Sequence, residues 1–356
     1  MIKVENLVKK YGNHTAVDNL SFTVEKGQIY GFLGPNGAGK TTTMNIMTGY
    51  LAATEGTVEI CGYNILEQPE EAKRHIGYLP EVPPLYMDMT VLEYLNFAAE
   101  LKKVPKQERK AQIREIMQMA GITDVERRLI KNLSKGYRQR VGLAQAIIGY
   151  PEIIILDEPM AGLDPRQIHE IRTLLGKLAG NHTILLSSHI LSEINTICDH
   201  IMIIANGRLA ASDSPDGLKR LMAESAEIEM TAAGSREKAE ELLGAMKHIR
   251  SYTFEKTAEE NGMKVRILTK DNVDIRGELS VAFTNHGMPV LSMNRVEKSL
   301  EDIFLQLTEE QVREAEDALR PETPETEEDV MRPEIPGDAV SDVPESGEEE
   351  KDGGDL

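Results

Sequence analysis

The first 65 residues alternate between apolar and polar positions in short runs that are separated by turn residues. Alternation with a period of two is typical of strands that bury one face. We predict four strands, at residues 2–8, 16–24, 28–33 and 56–61, with a glycine-rich segment at 34–43 between the last two. The pattern therefore predicts a strand-rich front part of the chain.

Apolar positions change to helical spacing between residues 90 and 147. Thr90 and Glu93 have the spacing of a capping box, which marks the start of a helix. Residues 111–119 and 138–148 repeat apolar positions every three to four residues. We predict a helical subdomain at about residues 82–145.

Two later runs, at residues 153–156 and 183–186, are continuously apolar and rich in β-branched side chains. Such runs are typical of parallel strands that are covered on both faces. Residues 201–205 and 208–211 flank an Asn-Gly pair, which predicts a hairpin with a tight turn. The predicted fold class is α/β, with an antiparallel β subdomain and a helical subdomain around a parallel core. The whole unit covers residues 1–222.

Residues 226–308 have a separate pattern that predicts the order βαββαβ, followed by a helix from Ser299. The two predicted helices each present one apolar face, so that both can cover one side of a sheet. This order matches a ferredoxin-like fold, which indicates no function by itself. The predicted strands are residues 228–231, 249–254, 263–268 and 290–293.

The formal charge of −19 arises mostly at the end of the chain. Residues 309–356 contain 19 acidic and 4 basic residues with scattered prolines, whereas residues 1–308 contain 40 acidic and 36 basic residues. An acidic, proline-rich segment cannot bury enough apolar area to offset its chain entropy, so we predict a disordered tail. The nearly balanced remainder gives no support for nucleic-acid binding.

Composition and the start of the chain favour a cytoplasmic protein. No apolar run approaches the roughly 20 residues that a membrane-spanning helix needs, and the first residues lack the apolar core of a secretory signal. The two cysteines, Cys61 and Cys198, are far apart and lack the spacing of metal ligands. We expect both thiols to be buried and inert.

A phosphate-binding loop lies between an apolar strand and the start of a helix, where such a loop is expected. Its glycines let backbone N–H groups converge on phosphates at a helix N-terminus. Lys40 is expected to hold the β- and γ-phosphates of ATP, and the Thr41 hydroxyl to bind Mg²⁺. The predicted ATP-binding residues here are Gly34, Pro35, Asn36, Gly37, Ala38, Gly39, Lys40, Thr41 and Thr42.

Asp157 and Glu158 follow the apolar run at 153–156, which delivers both carboxylates to the edge of the sheet that faces the phosphates. Asp157 is the second predicted Mg²⁺ partner. Glu158 can reach a water in line with the γ-phosphate, and we predict that it is the general base.

Residues 133–140, Leu-Ser-Lys-Gly-Tyr-Arg-Gln-Arg, resemble the signature motif of the ATP-binding-cassette (ABC) family, which usually reads Leu-Ser-Gly-Gly-Gln. The resemblance extends over residues 1 to about 220. It implies that Ser134, Lys135 and Gly136 act on ATP that is bound by a second subunit.

Further residues match motifs of that family in the expected order. Asp164 lies in a segment that resembles the family's loop across the dimer seam, and His189 resembles its switch histidine, a second catalytic residue. Tyr11 matches the aromatic residue that stacks on adenine, and Val17 follows it in the same site.

The resemblance implies a head-to-tail dimer with two sandwiched ATP molecules, formed with a second copy or a homologous ATPase subunit. ATP would favour closure of the dimer and hydrolysis its opening. A separate transmembrane permease would carry the substrate, and the chain would lie on the inner face of the cell membrane. The apolar segment at residues 83–87 has no evident reason to face solvent, and we predict that it receives a cytoplasmic helix of the permease.

The sequence departs from the common family pattern at two sites. Glu81 stands where the family usually has a glutamine that touches Mg²⁺, so we retain Glu81 as a metal ligand with a changed charge. Lys135 and Tyr137 replace Gly and Gln in the signature. Both departures are familiar in the branch that pairs with separate export permeases, including gliding, drug-efflux and copper-related cassettes.

Two other functions fit the sequence less well. Soluble cassette ATPases that act on ribosomes or DNA usually have two cassettes or a long coiled coil, whereas only 117 residues separate Lys40 from Asp157 here. A regulatory protein without ATP turnover is disfavoured by Glu158 and His189. The sequence thus favours a transporter ATPase and leaves its substrate and direction of transport open.

Overall fold

A computed structural model describes residues 1–221, 227–255, 262–270, 273–296, 301 and 304–305. These residues all belong to the first of two compact units of the chain, Met1–Asp317. The predicted acidic tail and the start of the predicted helix at Ser299 lie outside the described residues. Strands and helices are numbered in chain order.

The front of the molecule is a four-stranded sheet in the order β2-β1-β4-β5. Its neighbouring strands are antiparallel, as the alternating pattern predicted. The strands are β1 (Ile2–Tyr11), β2 (His14–Val24), β4 (Glu55–Ile60) and β5 (Tyr63–Asn64).

The core is a six-stranded sheet in the order β10-β9-β3-β8-β7-β6. Strands β9, β3, β8, β7 and β6 run parallel, and β10 pairs antiparallel with β9. The four residues of β7 are all buried and alternate between two apolar clusters, one on each side of the sheet. The strands are β3 (Ile29–Leu33), β6 (Ile76–Leu79), β7 (Ile153–Leu156), β8 (Thr183–Ser188), β9 (His200–Ala205) and β10 (Arg208–Asp213).

Helices cover both faces of the core sheet and form a helical region between β6 and β7. The predicted capping box is present, since Thr90 N donates to Glu93 Oε2 over 2.8 Å and Glu93 N donates to Thr90 Oγ1 over 3.3 Å. The helices are α1 (Lys40–Met47), α2 (Pro69–Arg74), α3 (Val91–Leu101), α4 (Lys106–Met119), α5 (Lys135–Ile147), α6 (Pro165–Ala179), α7 (Leu191–Asn195) and α8 (Pro215–Leu221).

A third sheet follows, in the order β12-β13-β11-β14 with antiparallel neighbours. Leu243 and Phe283, from its two helices, are buried in one apolar cluster with Val265 of the sheet. The elements are β11 (Glu227–Ala233), α9 (Arg236–Ala245), β12 (Ile249–Glu255), β13 (Gly262–Thr269), α10 (Arg276–Asn285) and β14 (Val290–Val296).

None of the helices within the described ranges is long and apolar enough to span a bilayer. Cys198 is buried, as predicted, but Cys61 is only half-buried. The prediction for Cys61 was wrong because the residue lies in the turn between β4 and β5, outside the strand whose alternate residues are buried.

Candidate functional site

The phosphate-binding loop joins the carboxyl end of β3 to the N-terminus of α1. Gly37 and Gly39 have φ angles of 83° and 99°, which favour glycine. A Cβ at Gly39 would lie 2.5 Å from the carbonyl oxygen of Ala16, so this backbone approach requires glycine. The loop therefore passes close to β2.

Lys40 is the first residue of α1, and its side chain is buried. Its Nζ donates to the carbonyl oxygens of Gly34 and Pro35 over 2.8 and 3.2 Å. The Glu158 carboxylate lies 3.8 Å away. Burial lowers the pKa of the Lys40 ammonium, while the negative charges of Glu158 and Asp157 oppose that change. The Lys40 ammonium is thus held against the phosphate-binding loop by two backbone carbonyl oxygens.

Asp157 and Glu158 follow β7 and lie at the same sheet edge as the phosphate-binding loop, because β3, β8 and β7 are parallel. Both carboxylates are buried. Ser187, on the neighbouring strand β8, fixes both residues. Its Oγ donates to Asp157 Oδ1 over 2.6 Å and accepts a hydrogen bond from Glu158 N over 2.8 Å.

His189 follows β8 and contacts the second carboxylate. Its Nδ1 lies 2.9 Å from Glu158 Oε2, and its side chain is 43% exposed. Glu158 has a φ angle of 48°, an uncommon value for a residue with a side chain. We call Lys40, Asp157, Glu158 and His189 the nucleotide cluster.

The nucleotide cluster opens onto a cavity of about 380 Å³, a volume in the usual range of ligand sites. Tyr11 lines the cavity and is 49% exposed, whereas Val17 is fully buried and does not line it. The cavity is lined by Tyr11, His14, Ala16, Asn36, Gly37, Gly39, Lys40, Thr41, Thr42, Glu81, Glu158, Ala161 and His189.

The lining includes most residues that the sequence predicted for ATP, together with Glu81. His14 was not predicted, and Ala16 and Ala161 were not predicted to bind ATP. Ser187, behind the carboxylates, was not predicted either. Ser187 belongs to no recognised motif. Its position at the end of an apolar strand, two residues before His189, could have indicated that it lies near the site. Gly34, Pro35 and Ala38 form the loop backbone without lining the cavity.

The predicted signature residues do not line this cavity. Ser134 caps α5, with Oγ accepting from Tyr137 N over 3.4 Å, and its side chain is exposed. Gly136 is buried against Gln167, and a Cβ there would clash with the amide group of that side chain. Asp164 caps α6 by accepting from Gln167 N over 2.9 Å. Within one chain, the signature and the nucleotide cluster are therefore separate.

The two unusual signature residues have partners of their own. Tyr137 donates its hydroxyl to Asp124 Oδ2 over 2.8 Å, and the Arg140 guanidinium lies 5.7 Å from the centre of its ring. Lys135 extends along the loop that contains Gly162, where a Cβ would collide with the ammonium. Lys135 thus connects α5 to the loop between β7 and α6, whereas Tyr137 connects α5 to Asp124 in the segment that precedes it.

Known proteins resemble this chain in sequence and in fold. The family described as "ABC transporter" matches residues 17–161. The bacitracin transport ATP-binding protein BcrA of Bacillus licheniformis is 38% identical over 309 residues, which are 86% of this chain and 97% of that protein. The dimeric structure of the bacterial ABC transporter cassette MJ0796 has a TM-score of 0.56 and 27% identity, covering 60% of this chain and 98% of that one.

A second dimeric structure of the MJ0796 cassette, in a post-hydrolysis state with ADP and phosphate, has a TM-score of 0.55 at 26% identity and covers 60% of this chain and 98% of that one. The chain therefore belongs to the ABC transporter family. It is the ATP-binding, ATP-hydrolysing subunit of such a transporter, and it powers a separate membrane permease.

Proposed function

We propose that ATP is hydrolysed at a composite site, built from the nucleotide cluster of one subunit and the signature of the other in a head-to-tail dimer. The observation that carries this proposal is the separation of Ser134 and Gly136 from the cavity within one chain. Ser134 is exposed at the N-terminus of α5, where backbone amides and the helix dipole favour an anion. A second subunit can supply this end to the γ-phosphate.

Glu158 is the proposed general base. Its carboxylate lies between Lys40 Nζ, at 3.8 Å, and His189 Nδ1, at 2.9 Å. In this place it can accept a proton from a water that attacks the γ-phosphate, whose oxygens Lys40 binds. His189 orients the carboxylate and contacts the same region of the phosphate. Tyr11, which lines the cavity, stacks on adenine.

The donor atoms near the phosphate site suit Mg²⁺, which prefers hard oxygen ligands. Thr41 offers a hydroxyl, and Asp157 and Glu81 offer carboxylates. Bound there, Mg²⁺ would supply positive charge that offsets the negative charge developing on the phosphate. Ser187 holds Asp157 in place through the 2.6 Å hydrogen bond.

Substitution of Glu158 by Gln separates binding from hydrolysis, since the amide keeps the shape but cannot accept the proton. We expect ATP to remain bound and a stable dimer to form in size-exclusion chromatography with ATP, but not with ADP. Adding Lys40→Ala should abolish that dimer. ATP hydrolysis by Glu158→Gln at the parental rate would show that the base is another group, with His189 the next candidate.

The proposed partner is an export permease, which docks next to Glu81. Val82, Tyr86 and Met87 are 79%, 51% and 42% exposed. Tyr86 packs against Phe97 of α3, with ring centroids 5.3 Å apart, so the exposed apolar surface rests on the helical region. These exposed apolar side chains suit a short amphipathic helix of the permease.

The docking proposal is tested by charge. The double variant Tyr86→Glu, Met87→Glu should lose co-purification with the permease and keep ATP binding, because neither residue lines the cavity. The matched control is Tyr50→Glu, at another exposed tyrosine, which should keep co-purification. Unchanged recovery of permease with the double variant would contradict the proposal.

The remaining proposals concern the organisation of the chain. We assign residues 1–222 to the ATP-binding domain, 226–308 to a ferredoxin-like domain and 309–356 to an acidic tail. The strand order β12-β13-β11-β14 with two helices on one face supports the second assignment. The chain lies on the inner face of the membrane through its permease. BcrA is a bacitracin transport ATP-binding protein, which supports transport of a compound related to bacitracin.

A further inference from the structure

Three polar side chains from distant parts of the sequence meet at the amino ends of the core strands, whereas the nucleotide cluster lies at the carboxyl ends. Cys61 lies between β4 and β5, His75 caps the end of α2 before β6, and Glu152 precedes β7. One ligand atom of each lies within 4.8 Å of the other two. We call these three residues the thiol cluster.

The backbone around the thiol cluster is fixed. Ile153 N donates to the carbonyl oxygen of His75 over 3.0 Å, which joins the starts of β6 and β7. The imidazole of His75 stacks on Tyr63, with ring centroids 5.5 Å apart and an interplanar angle of 15°. Its Nδ1 lies 3.0 Å from Glu152 Oε1. The ring is therefore oriented toward the carboxylate before any ligand binds.

Cys61 occupies a position that its residue type does not favour. Ile60 pairs with Tyr63, so Cys61 and Gly62 form a two-residue hairpin loop with φ angles of 52° and 88°. Two positive φ angles define a type I′ turn, in which Asn or Gly is usual at the first position. A cysteine there carries backbone strain, and such strain is found where a side chain is used.

We propose that the thiol cluster binds one divalent transition-metal ion such as Zn²⁺. The ligands are Cys61 Sγ, the His75 imidazole and a Glu152 carboxylate oxygen, with water as the fourth ligand. Thiolate, imidazole and carboxylate are the three side-chain ligands that Zn²⁺ takes in proteins. In a tetrahedral site the ligand atoms are about 3.5 Å apart. His75 Nδ1 and Glu152 Oε1 are already 3.0 Å apart, so the Cys61 thiol would approach them by at most about 1 Å. Glu152 is 48% exposed and free to make that adjustment.

An ordinary surface ion pair explains only part of this arrangement. Lys26 Nζ lies 3.0 Å from Glu152 Oε2, and this hydrogen bond lowers the pKa of Glu152. The contacts of Glu152 with Lys26 and His75 explain the placement of those side chains. They give no reason for a strained cysteine beside them. The Lys26 side chain is 70% exposed, so a cation can displace its ammonium from the carboxylate at little cost.

The bound cation would connect the β4–β5 turn of the front sheet to the starts of β6 and β7. This site lies away from the ATP cavity, since none of its three residues lines that cavity. Its binding can therefore be measured without nucleotide and independently of ATP hydrolysis.

Co²⁺ is a suitable probe for the untagged full-length protein in the absence of nucleotide. We expect one Co²⁺ per chain with a near-ultraviolet thiolate-to-cobalt charge-transfer band, which Zn²⁺ removes. Oxygen ligands in the nucleotide cluster cannot produce that band. Cys61→Ser should abolish it, and His75→Ala and Glu152→Gln should each weaken binding at least about tenfold.

Cys198→Ala is the matched control, because it removes the other cysteine and should keep the band. Lys26→Ala removes the competing ammonium and should bind Co²⁺ more tightly than the parent chain. Circular dichroism checks that each variant is folded. The proposal is overturned if the parent shows no charge-transfer band, if the band persists in folded Cys61→Ser, or if it depends on Cys198.

Discussion

The two edges of the core parallel sheet carry polar clusters that are assembled in different ways. The nucleotide cluster lies at the carboxyl ends of the strands, where Lys40, Asp157 and Glu158 are buried and hydrogen-bonded. The thiol cluster lies at the amino ends and is half-exposed. The two proposed sites therefore differ in access to solvent: the charged groups at the carboxyl ends are buried, and those at the amino ends are open to solvent.

Backbone strain is common to both edges. Glu158 has a φ angle of 48° and Cys61 one of 52°, although neither residue type favours positive φ. In each case the side chain lies within reach of a histidine ring nitrogen and a further charged group. We interpret the strain as the cost of aiming a functional side chain, at one edge a carboxylate and at the other a thiol.

The largest expected difference follows from making the same change at both ends of β7. Glu158→Gln removes the proposed base and should slow ATP hydrolysis at least about a hundredfold, as expected for a positioned base. Glu152→Gln should leave the rate within about twofold, because the thiol cluster does not touch the cavity. Steady-state ATPase assays of the two folded variants measure both. Equal losses would remove the distinction between the edges.

A smaller effect is expected at Ser187, which supports the nucleotide cluster from β8. Ser187→Ala leaves a buried oxygen of Asp157 and the Glu158 amide without their partner, at a cost of about 1–3 kcal/mol. We expect ATP turnover to fall about tenfold, which corresponds to about 1.4 kcal/mol. Its neighbour Ser188 bonds to Glu193 instead, so Ser188→Ala is the control and should change the rate less. A larger loss at Ser188 would contradict this account.

The strain at the thiol cluster predicts a change in stability. Asn tolerates the left-handed conformation of the first position in a type I′ turn better than Cys does. Cys61→Asn should therefore raise the free energy of unfolding by about 1 kcal/mol, seen as a Tm increase of about 2–4 °C with a chelator present. Cys61→Ser keeps the strain and should show no gain. A lower Tm for Cys61→Asn would mean that the thiol stabilises the turn without metal.

The smallest effect is expected from the acidic tail. Truncation after Thr308 should leave the ATPase rate within about twofold, since charges farther than about 8 Å are screened at physiological salt. The assay compares the truncated chain with the parent at equal Mg²⁺ and ATP. A tenfold loss would show that the tail takes part in the chemistry.

Much of the nucleotide cluster was predictable because its motifs are local. The phosphate-binding loop combines glycines, Lys40 and Thr41 within one segment, and Asp157 and Glu158 directly follow an apolar strand. Parallel strands then bring these segments to one edge without further information. Ser187 was missed because its role depends on the lateral pairing of β7 with β8, which periodicity does not specify.

The thiol cluster could not be predicted from the same reasoning. His75 and Glu152 are 77 positions apart, and Cys61 joins them only because the front sheet meets the core sheet at that edge. Strand β6 and helix α2 were not predicted either, because both are too short to show a clear period. The prediction that Cys61 is buried failed for a related reason. The sequence pattern does not show that β4 ends before the turn that contains Cys61.

The central claim, a composite site shared by two subunits, is tested most directly by mixing two inactive variants. Lys40→Ala lacks a working phosphate loop. Ser134→Asp retains a residue that can cap α5 but places a negative charge against the γ-phosphate. The neutral control Ser134→Asn keeps the cap without the charge.

In a mixed dimer, the loop of the Ser134→Asp chain meets the intact signature of the Lys40→Ala chain, so one site is complete. The account predicts that each variant alone is nearly inactive. An equimolar mixture should regain up to about a quarter of the parental ATPase rate, because about half of the dimers are mixed and each mixed dimer has one intact site out of two. A mixture no more active than the separate variants, although mixed dimers form, would contradict the composite site.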